Sequence, residues 1–323
     1  MQELSLVTGG AGFIGSHLVE TLLAAGTPVR VLDDFSTGLR SNLDGFRTQP
    51  ELIEGSITDA DAVAKAMVGV KVVYHLGALA SVARSVETPL VSHHACATGT
   101  LTVLDAARRA GVRRLVYAAS SSAYGGTSTP DGQREDQLPA ALSPYAAAKL
   151  AGEYYLQAFA HTYGIETVRV RFFNIFGPRQ RSDSPYSGVI ALFLNAMAQG
   201  KTPTIHGDGQ QSRDFTYVGN AVQALMRAAM APNVSGNVYN VGTGSSVTVL
   251  ELVESLNRLL GTNITPLHSA PRAGDVKFSQ ADIRRTCRDL GYEPNIRFED
   301  GLRRTMQWYF ECNPELRPAT CGV

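Results

Sequence analysis

Val7-Thr8-Gly9-Gly10-Ala11-Gly12-Phe13-Ile14-Gly15 follows a short apolar strand (Leu4, Leu6, Val7) and opens a helix pattern carried by Phe13, Ile14, His17, Leu18 and Leu22. Glycines recur at positions 9, 12 and 15. Such a turn lets the backbone approach a pyrophosphate, whose charge then sits on the free N–H groups and positive end of the helix. Val29-Arg30-Val31-Leu32-Asp33-Asp34 reads as a second strand ending in acid, about 20 residues on, where a carboxylate hydrogen-bonds an adenosine ribose. Glycines alone also occur in ordinary strand-to-helix turns. Strand, glycines, helix, strand and acid in that order point to a bound dinucleotide. A carboxylate at Asp33 accepts from a ribose 2′-hydroxyl but repels a 2′-phosphate. Arg30 precedes the strand's end and is expected to point away, so NAD is expected rather than NADP.

Working outward, strand-like runs alternate with helical patterns over about the first 175 residues. Strands are expected at Leu4–Thr8, Val29–Asp33, Glu51–Glu54, Val70–His75, Arg114–Ala119 and Thr167–Arg171. Helices are expected at Leu18–Ala25, Ala60–Met67, Thr100–Ala110 and Ala146–Tyr163. This alternation predicts an α/β protein with a Rossmann-type doubly wound parallel sheet, its ligand beyond the carboxyl ends of the strands. Val238–Val241 reads as one more strand of that sheet. Helices at Val189–Gln199, Val249–Leu260 and Ser279–Leu290 imply a smaller, mostly helical substrate-binding domain. The expected division is 1–175 plus about 212–243 for the NAD-binding domain and 176–211 plus 244–313 for the second. The tail, 314–323, lacks periodicity and is expected to be disordered.

Lys+Arg and Asp+Glu both number 29 in this chain of 323 residues. That balance argues against a nucleic-acid partner or a charge tether to membranes. No apolar run approaches the ~18 residues that span a bilayer. The four cysteines (Cys96, Cys287, Cys312, Cys321) show no C-x-x-C spacing and read as reduced thiols of a cytoplasmic protein without a leader segment. His93 and His94 are adjacent, which makes a poor metal pair, and His75 is expected to be packed at a strand end. With no H-E-x-x-H or Cys/His cluster, no metal is expected.

Tyr145-Ala146-Ala147-Ala148-Lys149 begins a helix introduced by Ser143-Pro144. Four-residue spacing puts phenol and ammonium on one face, one turn apart. A free tyrosine, with a pKa near ~10, is a poor base at neutral pH. An adjacent lysine and a cationic nicotinamide are both expected to lower it. An amphipathic helix with a core Tyr and a solvated Lys explains the same pattern, but less well once a dinucleotide fingerprint precedes it. Ser120-Ser121-Ser122 end a buried strand, where their hydroxyls can meet a substrate oxygen and Tyr145; a polar turn is the plainer reading. Arg213 and Arg272 carry guanidinium groups suited to phosphate oxygens, though singly each is more often a surface ion pair.

Together these residues resemble the extended short-chain dehydrogenase/reductases, and within them the NAD-dependent UDP-hexose 4-epimerases. The motifs are Thr8–Gly15, Tyr145–Lys149, Arg171-Phe172-Phe173-Asn174, Gly207-Asp208-Gly209 with Ser212-Arg213-Asp214-Phe215, and Arg272 with Gly274-Asp275. The resemblance implies cofactor contacts from Gly9, Gly12, Phe13, Ile14 and Gly15, and from Asp33, Asp34, Phe35, Ser36, Thr37 and Gly38. It adds Ser56 and Ile57, then Leu76, Gly77 and Ala78, and finally Tyr145, Lys149 and Phe173. For the sugar nucleotide it implies Ser81, Asn174, Val189 and Ile205, with Arg213 and Arg272 on the diphosphate, Asp275 on a ribose, and Ser279. The implied chemistry has Tyr145 take the 4-hydroxyl proton while C4 gives a hydride to NAD. The 4-keto sugar rotates, and hydride returns to its other face. Ser120, Ser121 and Ser122 hold the 4-oxygen.

Related 4,6-dehydratases carry Asp-Glu where Ser121-Ser122 stand, and related decarboxylases commonly carry Glu at Ser122, so epimerisation without elimination is the reading. Ser279 stands where narrow Glc/Gal enzymes often have tyrosine. With Leu79–Ser85 and Pro185–Ile190, it resembles the UDP-N-acetylglucosamine 4-epimerase branch. UDP-GlcNAc/UDP-GalNAc and UDP-Glc/UDP-Gal are the expected substrates. A UDP-glucuronate 4-epimerase, a net oxidoreductase and a non-catalytic NAD(H) sensor are the alternatives. Cys96 stands where the family usually has Asn, and Ser56 where it has Asp; both bear on cofactor affinity. A homodimer is expected, through Leu101–Ala110 and Leu150–Phe159.

Overall fold

The structure, a computed structural model, describes residues 3–126, 131–182, 188–271 and 276–317. The first half runs β1 (Ser5–Thr8), α1 (Phe13–Ala24), β2 (Val29–Asp33), β3 (Glu51–Glu54), α2 (Ala60–Met67), β4 (Val72–His75), α3 (Val82–Glu87), α4 (Pro89–His93), α5 (Gly99–Arg109), β5 (Arg114–Ser120), α6 (Pro144–Tyr163) and β6 (Glu166–Phe172). It continues with β7 (Ile175–Phe176), α7 (Val189–Ala198), β8 (Thr204–His206), β9 (Ser212–Arg213), β10 (Thr216–Tyr217), α8 (Val218–Met230) and β11 (Asn237–Val241). The chain then adds β12 (Val247–Thr248), α9 (Val249–Leu260), β13 (Leu267–Ser269), β14 (Phe278–Ser279), α10 (Arg284–Leu290) and α11 (Phe298–Cys312).

Seven strands form one parallel sheet in the order β11-β6-β5-β4-β1-β2-β3. This is a Rossmann-type α/β fold. Period-two alternation sends Val7, Val31 and Val116 to a core against α1 and α8, and Leu6, Leu32 and Leu115 to one against α2, α5 and α6. Both faces are covered, which is why these strands read as unbroken apolar runs. Chain direction across the sheet switches between β1 and β4, leaving a crevice beyond their carboxyl ends. A third core, formed by α7, α9 and α11 with Phe176, Phe215 and Tyr217, meets that crevice through Phe13 and Ile14.

Several expectations need correction. Ser279–Leu290 is not one helix: Phe278–Ser279 pairs in parallel with β9, and only Arg284–Leu290 is helical. The segment around Pro89, unassigned from sequence, forms α3 and α4 and then a π-helical turn at His94–Thr98. Of the tail, Pro314–Leu316 forms a single 3-10 turn, and 318–323 lie outside the described residues.

Candidate active site

The loop after β1 is shaped by contacts that exclude side chains. Gly9 has φ of 68°, and a Cβ there would lie 2.8 Å from the Gly77 nitrogen. A Cβ on Gly15 would lie 2.1 Å from the Gly9 carbonyl oxygen, so helix and turn pack backbone to backbone. No side chain caps α1 at Gly12. Its first N–H groups and the positive end of its dipole are therefore left to an anion. A Cβ on Gly12 would meet only the Gly9 carbonyl oxygen, so the space outside the turn is open. This cradle fits a pyrophosphate.

Asp33 ends β2 beside the cradle. Its Oδ2 accepts from Ala11 N at 2.9 Å and its Oδ1 from Phe35 N at 2.9 Å. Burial pushes its carboxyl above the ordinary carboxylate range, opposed by those two amides. Each oxygen keeps a further lone pair for a ribose hydroxyl. Phe35 takes a left-handed φ of 55°, turning the chain into the exposed Asp34, Ser36 and Thr37. The Asp34 carboxylate accepts from Ser36 N and Oγ, and Gly38 is buried against Ala11 and Asp33. Arg30 points away as expected: it donates to the Ala66 and Val68 carbonyls and pairs with Glu51. Ser56 bonds Thr58 beyond β3, Ile57 packs on Gly77, and half-buried Leu76 and Ala78 flank that glycine.

Tyr145 and Lys149 share one face of α6, whose start is fixed by Pro144 and by Ser143 accepting from Ala146 N. Half-buried Tyr145 has Ser120, at the end of β5, close enough to oppose the rise of its phenol. Ser120 Oγ accepts from Ser122 Oγ at 2.8 Å, so two of the three predicted serines are linked; Ser121 is half-buried beside them. Lys149 donates to the Ala118 carbonyl at 2.9 Å and lies 4.7 Å from the Tyr117 ring centre. Burial pushes its ammonium down, opposed by Cys96 and Glu153. The expected lowering of the phenol is not what the protein alone produces. Burial pushes Tyr145 well above its usual range, Cys96 adds to this, and only Ser120 opposes it.

The third core brings Arg213 and Ser279 into register on adjacent parallel strands, β9 and β14. Arg213 is half-buried and donates to the Ser212 carbonyl, while Ser279 is buried. Asn174 is exposed after β6, and Val189 begins α7 half-buried. Ser81 caps α3 by accepting from Arg84 N. Two predicted contacts fail as side-chain contacts. Phe173 has 0% and Ile205 1% of its surface exposed, the first enclosed by Tyr124 and Ala281, the second in the third core. Arg272 and Asp275 lie outside the described residues. Among the described residues no group of three or more His, Cys, Asp or Glu could hold a metal.

Sequence reasoning missed three supports. Ser85 Oγ accepts from Tyr145 N at 3.1 Å, tying the start of α6 to α3. Glu153, one further turn along α6, makes a two-pronged buried pair with Arg171 of β6, at 2.9 and 2.8 Å. His75 bridges Thr8 and Thr100 at 2.7 and 3.0 Å, and Thr8 Oγ1 also accepts from Gly77 N. Only Glu153 left a signal, at the same four-residue step as Tyr145 and Lys149. Cys96, enclosed with Leu79, Ala97 and Ala148 against Tyr145, points its thiol at the Leu79 carbonyl.

Residues 5–242 match the NAD dependent epimerase/dehydratase family. A UDP-glucose 4-epimerase of Mycolicibacterium smegmatis is 37% identical over 308 residues, covering 94% of this chain and 98% of that one. A UDP-N-acetyl-alpha-D-glucosaminuronate decarboxylase of Bacillus cytotoxicus is 32% identical over 328 residues, covering 96% and 99%. Among solved structures, the UDP-N-acetylglucosamine 4-epimerase of Methanobrevibacter ruminantium, in complex with UDP-N-acetylmuramic acid, superposes with a TM-score of 0.91 at 35% identity, covering 97% and 100%.

Proposed function

This chain belongs to the NAD-dependent epimerase/dehydratase family, and we propose that it is a 4-epimerase of UDP-sugars, acting on UDP-GlcNAc/UDP-GalNAc and on UDP-Glc/UDP-Gal. The observation that carries this reading is the linked Ser120–Ser122 hydroxyl pair near Tyr145, with no carboxylate among Ser120–Ser122. Removing water or carbon dioxide calls for an added acid or base beside the sugar. Moving one proton on and off the 4-oxygen calls only for a phenol and hydroxyls.

The cofactor is NAD. The uncapped turn at Gly12 would hold its pyrophosphate and Asp33 its adenosine ribose. When bound, NAD would supply the acceptor for the hydrogen that leaves C4 and a positive charge that favours the phenolate. Tyr145 exchanges the 4-hydroxyl proton, and the Ser120–Ser122 pair steadies the oxygen that loses it. Lys149, fixed by the Ala118 carbonyl, stands one turn from Tyr145 on the same helix, where its ammonium is held in place beside the cofactor turn's sheet. Arg213 holds the diphosphate, leaving the sugar free to turn. Residues 1–175 with 212–243, and 176–211 with 244–313, are the two domains of this reading.

We read the assembly as a homodimer. Leu90 and Val91 of α4 and Tyr154 and Tyr155 of α6 are exposed, whereas α5 buries Val103, Leu104 and Ala107 in its own core. Leu101–Ala110 and Leu150–Phe159 remain the proposed contact, with the exposed apolar residues of α4 beside them. A monomer in sedimentation equilibrium would exclude the dimer. The three described cysteines are free thiols, which suits the cytoplasm. No helix among the described residues is long and apolar enough to cross a membrane.

Purified protein is incubated with UDP-GlcNAc, UDP-Glc and UDP-glucuronate separately, without added cofactor, and C4 epimers are separated. Turnover of the first two supports the proposal, and turnover of UDP-glucuronate alone replaces it. Ser279→Tyr is expected to abolish turnover of the N-acetyl sugars while sparing UDP-Glc; equal loss on both contradicts the role given to Ser279.

A further inference from the structure

Asp214 lies between Arg213 and Phe215, and no part of the mechanism above uses it. It is 0% exposed. Its Oδ1 accepts from Thr243 N at 2.8 Å, Thr243 Oγ1 at 2.8 Å and Thr216 Oγ1 at 3.2 Å. Its Oδ2 accepts from Gly244 N at 3.0 Å and Ala281 N at 3.2 Å. Its own N–H donates to the Ser279 carbonyl at 2.8 Å. A Cβ on Gly242 would lie 2.6 Å from Oδ2, so only glycine admits the carboxylate there.

These contacts join three segments that are distant in sequence, 214–216, 242–244 and 279–281. Gly242, Thr243 and Gly244 leave β11 at the edge of the main sheet. Thr216 starts β10, Asp214 follows β9, and Ala281 follows β14. One carboxylate therefore locks the two strands carrying Arg213 and Ser279 to each other and to the dinucleotide-binding sheet. All five donors are neutral dipoles, and a buried carboxylate draws charge-assisted strength from each. Burying the charge is costly, and nothing in a plain packing role requires it. A joint that must hold several backbone N–H groups in one place does.

We propose that Asp214 is a positioning residue of the sugar-nucleotide site, setting Arg213 and Ser279 at the spacing a nucleoside diphosphate sugar needs without touching the ligand itself. This rests on the reading that Arg213 and Ser279 face that ligand. An amide at 214 has nearly the same size but turns an NH2 donor towards other donors, leaving at least one buried N–H unpaired.

The test is calorimetric titration of purified protein with UDP, alongside the NAD content released on denaturation. Asp214→Asn is expected to weaken UDP binding about tenfold to a hundredfold and to leave NAD content unchanged. Should that variant fold poorly, Thr243→Val removes one hydroxyl donor and is expected to weaken UDP binding several-fold, with Thr243→Ser restoring it. Loss of UDP and NAD together in both Asp214→Asn and Thr243→Val marks a general folding fault and overturns the proposal. Wild-type UDP affinity in Asp214→Asn overturns it alone. A wild-type protein that carries NAD but binds no UDP overturns the parent reading, and this inference with it.

Discussion

Tyr145 is the residue on which the proposed chemistry turns. Burial holds its phenol well above the usual range. The proton must therefore be drawn off by what surrounds it during the reaction, and the ring without its hydroxyl cannot exchange one. Tyr145→Phe is expected to lower kcat by about 10²–10⁴-fold with bound NAD retained; measuring kcat and NAD content together separates lost chemistry from a lost cofactor. His75 shows a different consequence of burial. Desolvation, with Lys149 adding to it, holds its pKa down to about 3 from 6.5. Between those values the unfolded chain binds a proton that the folded protein does not. His75 therefore leaves stability intact above pH ~6.5 and takes it away as pH falls towards ~3, by about 1.4 kcal/mol per pH unit. Denaturant unfolding of wild type and His75→Asn from pH 7 to pH 4 is expected to differ in slope by one proton. Identical slopes contradict the neutral buried imidazole.

At the scale of elements, α6 is the one that must not move. Pro144, Ser143 and Ser85 fix its first turn, and Glu153 anchors its middle to Arg171 on β6, with side chains 2% and 4% exposed. Glu153→Gln leaves Arg171 buried without its counter-charge, and is expected to cost about 3–5 kcal/mol in denaturant unfolding; a loss below about 1 kcal/mol would show that α6 is held by its apolar face alone. The elements themselves differ in how much the sequence disclosed. β2, β3, α2 and α9 lie where periodicity placed them, because each carries a strong apolar rhythm of its own. α3 and α4 did not show, since Thr88-Pro89 breaks the run into two short helices, with Pro89 pre-shaped for the first turn of the second. The two-residue strands β9, β12 and β14 are too short to have any period. α11 was not assigned from the sequence, although Phe298, Leu302, Met306 and Phe310 line its apolar face; Gly301 within it weakens the pattern.

For the molecule as a whole, the candidate site was legible where function sits within a few residues: the glycine turn, Asp33, and Tyr145 with Lys149. It was not legible where function depends on contacts between distant segments. Ser85 reaches Tyr145 across 60 residues, and Asp214 gathers backbone N–H donors 29 to 67 residues away. Phe173 and Ile205 have enclosed side chains, so any ligand contact of theirs runs through the backbone. The architecture sets a sheet that grips a dinucleotide beside a second core that presents Arg213 and Ser279. Such an arrangement suits a hydrogen that is removed and given back at the same carbon. The most direct test is to incubate the purified protein, without added nicotinamide, with UDP-GlcNAc deuterated at C4, and to locate the label in the product. Deuterium retained at C4 of UDP-GalNAc is the predicted result; solvent hydrogen at that carbon, or a product that has lost water or carbon dioxide, would contradict it.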